Sequence, residues 1–71
     1  MDNITGNRVR ELRLSNEMTQ QNVADKLNMA RGNYSRYENG LLEFNHDMLR
    51  TLAKLFDVST DYLLGLKNDW N

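Results

Sequence analysis

Cysteine and proline are both absent from the 71 residues of this chain, and only four glycines occur. Without cysteine there is no disulfide framework and no thiolate cluster, so stability has to come from packed helices or from a partner subunit. Such a composition is expected of a protein kept in a reducing cytoplasm. Long apolar runs are missing too: no stretch approaches the roughly 20 residues that span a bilayer. Met1-Asp2-Asn3 has neither the basic start nor the apolar stretch of a signal peptide. The expectation is a soluble, cytoplasmic chain that does not enter a membrane.

Other absences exclude chemistry. His46 is the single histidine, with no cysteine near it, so no metal site is expected and His46 reads as a surface residue. The carboxylates are scattered without a pair on one face, and no glycine-rich phosphate loop or nucleophile motif occurs. The chain reads as no enzyme and as needing no cofactor. No alternating β-branched run appears either, which leaves an all-α fold. A chain this short buries only roughly 60% of its unfolded surface, which allows one domain, residues 1–71.

The formal net charge of −1 is not that of a typical nucleic-acid binder, but its distribution is uneven. From Gly6 to Tyr37 six cationic residues face three acidic ones, and from Glu38 to Asn71 the proportion is reversed. One half thus suits phosphate and the other faces away from it.

Apolar spacing and cap residues predict five helices. The first runs from about Gly6 to Glu17, with Val9 and Leu12 inward and Arg8, Glu11 and Ser15 outward. Thr19 caps a second through Lys26, carrying Val23, Ala24 and Leu27, and Asn28 ends it because asparagine tolerates the left-handed conformation. A third spans Ala30 to Glu38 with Tyr34 and Tyr37 inward, closed by Asn39-Gly40. Asn45 caps a fourth that presents Met48, Leu49, Leu52, Ala53, Leu55 and Phe56, and Ser59 caps a short fifth ending at Gly65. The tail from Leu66 onward is expected to fray, apart from Trp70.

The segment from Gln20 to Asn39 meets the steric demands of two helices joined by a tight turn. Ala24 is small where they approach, Asn28 accepts positive φ, and Val23, Leu27, Met29, Tyr34 and Tyr37 supply the apolar interface. That is a helix-turn-helix, whose second helix enters the major groove. On the third helix Arg31, Gly32, Ser35 and Arg36 lie opposite Tyr34 and Tyr37, on the exposed face. Arginine pairs with guanine and asparagine with adenine, so Arg31, Asn33 and Arg36 join Gly32 and Ser35 as base-contact candidates.

Five blocks in register resemble the phage repressor/Cro-type (lambda repressor-like, XRE) regulators. They are Thr19-Gln20, Val23 to Leu27, Ser35 to Gly40, Leu52 to Phe56 and Asp61 to Gly65. The resemblance implies a five-helix domain that binds operator DNA as a transcriptional regulator. It places Thr19 and Gln20 against phosphate at the start of the second helix, and Asn39 with the Gly40 N–H at a phosphate-contacting corner. Arg13 and Glu38 match positions that form a salt bridge, with a secondary role for Arg13 toward phosphate. Ala30 stands where a serine or threonine cap is usual, Glu17 replaces a frequent glycine, and Leu41-Leu42 occupy positions that are often basic.

One recognition helix touches few base pairs, so a homodimer on a palindromic operator is expected. Tyr62, Leu63, Leu66 and Trp70 offer apolar surface for its seam. The alternative reading is a protein-binding module such as an antitoxin, which engages its partner through Leu41 and Leu42 if these are exposed.

Overall fold

The computed structural model describes residues 3–70. Five helices follow one another: α1 (Ile4–Ser15), α2 (Gln20–Lys26), α3 (Arg31–Glu38), α4 (His46–Phe56) and α5 (Thr60–Leu63). The described residues contain no strand. No helix among them is long and apolar enough to cross a membrane.

Local chemistry sets most boundaries. Thr19, Asn45 and Ser59 each cap the helix that follows, accepting from the backbone N–H three residues on. Asn28 has φ 57, so the residue that ends α2 is left-handed. Glu17 has φ 56, the conformation for which a glycine is the usual choice, and α1 stops at Ser15, two residues before its expected end. The helix also starts two residues early, at Ile4. Asn3 precedes it without a side-chain cap bond, and its amide donates instead to the Glu38 carbonyl at 2.8 Å.

Val9 and Leu12 of α1, Val23 and Ala24 of α2, Tyr34 of α3, Leu49, Leu52 and Phe56 of α4, Val58 of the link after α4 and Leu63 of α5 form one buried cluster. Leu27 and Met29 pack at its edge. Tyr37 is half-buried and rests on Phe44, ring centroids 5.5 Å apart. Full burial of a leucine is worth about 1.5–3 kcal/mol, and Leu63 is fully buried within its own chain. Leu63 therefore does not belong to an intersubunit seam, contrary to the sequence reading, because a four-residue helix must commit its one inward position to the core.

The tail is also more ordered than its composition suggests. The Ser59 N–H donates to the Trp70 carbonyl at 2.7 Å. Arg8, expected to point outward, lies over the Tyr62 ring at 4.3 Å from its centroid and donates to the carbonyls of Tyr62 and Lys67 and to Asn68 Oδ1. One guanidinium thus ties the C-terminal residues to α1.

Candidate nucleic-acid interface

The second and third helices are fixed to each other by the turn between them. The Met29 N–H donates to the Ala24 carbonyl at 3.0 Å, and Ala24 is fully buried where the helices meet. Thr19 and Asn22 form a reciprocal capping box: Asn22 N–H to Thr19 Oγ1 at 3.0 Å, and Thr19 N–H to Asn22 Oδ1 at 2.9 Å. Asparagine at that position was not singled out from sequence, since glutamate or glutamine is the usual partner. The box leaves the Gln20 and Gln21 N–H groups as unpaired first-turn donors, as helix geometry requires.

Arg31, Gly32, Asn33 and Arg36 are all exposed on α3, with Ser35 half-buried among them. Beneath this face sits an ionic cluster. Glu38, 3% exposed, accepts from Arg13 Nε and Nη2, both at 3.0 Å, and from the Tyr34 hydroxyl at 2.5 Å. Gln20 Nε2 donates to the same carboxylate at 3.2 Å, while its Oε1 accepts from Arg31 Nη1 at 3.4 Å. A continuous polar chain thus runs from the core to the outer face: Arg13, Glu38, Gln20, Arg31. Burial by itself raises the Glu38 carboxyl, but the Arg13, Tyr34 and Gln20 hydrogen bonds and the Arg13 charge outweigh it and hold the group below its ordinary value. The hydrogen bond to Glu38 raises Arg13 in turn, and burial together with Glu38 raises Tyr34.

Three expected phosphate contacts change. Arg13 is 8% exposed and spends its guanidinium on Glu38 and on the Met18 carbonyl, so it supports the interface from below and does not reach phosphate. The Gly40 N–H donates to the Tyr37 carbonyl at 3.1 Å, and Gly40 has φ +82, so its place is to turn the chain. The Gln20 side chain is engaged at both ends, which leaves its backbone N–H for an anion. Thr19 and Asn39 remain exposed beside α3. Asn39 Nδ2 donates to Ser35 Oγ at 3.2 Å and has a second N–H left over. The Ser35 hydroxyl is correspondingly tied to Asn39.

Leu41 and Leu42 are 74% and 39% exposed. They lie past the end of a cationic α3 face, not a neutral one. Leu66 and Trp70, at 73% and 57%, form exposed apolar surface at the C-terminal end, next to a half-buried Tyr62.

A five-helix all-α domain that presents a cationic third helix across a helix-turn-helix belongs to the class of DNA-binding regulator domains. The comparisons with known proteins agree: the helix-turn-helix family model matches residues 9–63, and the chain belongs to that family, in its XRE or Cro/repressor branch. The family is one of transcription regulators and not of enzymes. The chain is 40% identical over 62 residues to the uncharacterized HTH-type transcriptional regulator YobD of Bacillus subtilis (strain 168), which covers 87% of the chain and 55% of that protein. It is 43% identical over 60 residues to the HTH-type transcriptional regulator ImmR of the same organism, covering 84% of the chain and 47% of ImmR. The HTH-type transcriptional regulator AnsR, also from this organism, is 40% identical over 58 residues, 82% of the chain and 50% of AnsR. The chain spans about half the length of these curated relatives. No solved structure matches it significantly.

Proposed function

We propose that this domain is a cytoplasmic, operator-binding repressor module that inserts α3 into the major groove of double-stranded DNA. The observation that carries the reading is the exposed α3 face, with Arg31 and Arg36 projecting and Arg31 held by Gln20 Oε1 at 3.4 Å. Arg31, Asn33, Ser35 and Arg36 read base edges, while Thr19, the Gln20 N–H and the Asn39 amide meet phosphate. The test is selection of binding sites from random duplexes, followed by Arg31→Ala on the winning sequence. Loss of about 1–3 kcal/mol with relaxed preference at one base pair supports a bidentate reader. Equal loss on every duplex assigns Arg31 to phosphate.

The domain acts as a homodimer on a palindrome, with Tyr62, Leu66 and Trp70 at the seam and the two α3 helices about 34 Å apart. The exposure of Leu66 and Trp70 supports this seam. Sedimentation with and without the selected duplex checks it. One chain per palindrome at saturation, with no dimer at micromolar concentration, rules it out. A second reading, a protein-binding module of the antitoxin kind, draws on the exposed Leu41 and Leu42. It is preferred only if the selection returns no enriched sequence.

A further inference from the structure

Three of the four glycines have a reason inside the fold, and the fourth has none. A Cβ on Gly6 would meet the Glu38 carbonyl oxygen at 2.3 Å, and Gly40 and Gly65 both have φ +82. Gly32 has helical φ, and a Cβ there would meet nothing within 4 Å. It nevertheless sits exposed in the first turn of α3, a helix whose Ala30 cap already lacks a side-chain bond. Glycine in a helix lowers the folded-to-unfolded ratio by about two- to fivefold relative to alanine. Nothing among the described residues compensates for that loss, which points to a compensation outside them.

We infer that Gly32 is a specificity residue: the missing side chain leaves a lateral depression in the recognition face that admits the 5-methyl group of a thymine. The inference rests on the proposed operator binding and adds the base feature to it. Arg31 precedes the depression, and Ser35 and Arg36, three and four residues on, wall it on the following turn. The thymine methyl is the apolar group that projects into the major groove, and it is read by apolar contact. A phosphate is a poorer occupant. The space that glycine leaves is that of one omitted methyl, which the thymine methyl matches and a phosphate group exceeds.

The experiment uses the duplex selected with the unaltered chain, Gly32→Ala, and the same duplex with each thymine replaced in turn by uracil. Gly32→Ala should raise Tm by about 2–8 °C, since it relieves the glycine in open space. It should nevertheless weaken binding to the thymine duplex by about tenfold or more, from overpacking. For the unaltered chain, one uracil replacement should cost about fourfold, the value of one buried methyl. On that uracil duplex the gap between the two proteins should close, because the alanine methyl then fills the space the thymine methyl has left. Unchanged affinity of Gly32→Ala overturns the inference and leaves operator binding standing. A loss that no uracil replacement reduces overturns it in favour of the sugar-phosphate backbone. Failure of the unaltered chain to select any duplex sinks operator binding itself, and the inference with it.

Discussion

Replacing Glu38 by alanine removes the acceptor on which three side chains converge. Arg13, Tyr34 and Gln20 all donate to this carboxylate, which is 1% exposed, while the Arg13 side chain is 10% exposed. After the change the Arg13 guanidinium keeps only the Met18 carbonyl. Taking one partner from a buried pair costs about 3–5 kcal/mol, and a single small core rarely supplies more than about 3–5 kcal/mol in all. Glu38→Ala should therefore be largely unfolded at 37 °C. The double variant Arg13→Met/Glu38→Met should recover part of the loss, because apolar replacement of a whole buried pair is often neutral or stabilising, while the buried Tyr34 hydroxyl stays without its acceptor. Urea denaturation followed by circular dichroism measures both. The pH dependence is a second readout. Glu38 is held below its ordinary 4.5, so its contribution is fully present above that pH and is lost as pH falls through the lower folded value. The double variant should lack that part of the acid slope. Less than about 1 kcal/mol lost in Glu38→Ala, or no recovery in the double variant, would refute this account.

Gly6→Ala should destabilise by about 1–3 kcal/mol, since the new Cβ meets backbone, the Glu38 carbonyl oxygen at 2.3 Å, and a carbonyl cannot rotate away. Chemical denaturation gives the value. Ala30→Ser should add about 0.5–2 kcal/mol by supplying the cap bond that α3 lacks, visible as a raised Tm. Arg8→Ala should free the C-terminal residues: the Ser59 amide, which donates to the Trp70 carbonyl, should exchange with solvent faster while the α4 amides keep their protection.

The residue pattern made the helical class legible, along with the order of the five helices, the three side-chain caps and the left-handed Asn28. It also gave the inward set of Val9, Leu12, Val23, Ala24, Tyr34 and Leu52, and the outward Arg31, Gly32 and Arg36 on α3, whereas Ser35, expected on the same face, is half-buried. Each of these rests on interactions spanning a few residues, in which the side chain and the backbone it affects are neighbours. Thr19 caps α2 whatever the rest of the chain does, and Asn28 is left-handed by its own chemistry.

What tertiary structure decided lies between residues far apart in sequence. Arg13 and Glu38 are 25 positions apart, and only their burial against each other removes Arg13 from the phosphate-contacting set. Asn3 starts α1 early because its amide finds a carbonyl 35 residues on, and Arg8 leaves the solvent for the Tyr62 carbonyl 54 residues on. Leu63 was equally apolar for a core and for a seam, and the depth of α5 in the packed structure chose the core. The sequence by itself determined where hydrogen bonds and apolar stripes repeat at short range. Which long side chain pairs with which, and so which cations remain for DNA, was set by the three-dimensional approach of the helices, because an arginine on a flexible stem takes whatever acceptor packing brings within reach.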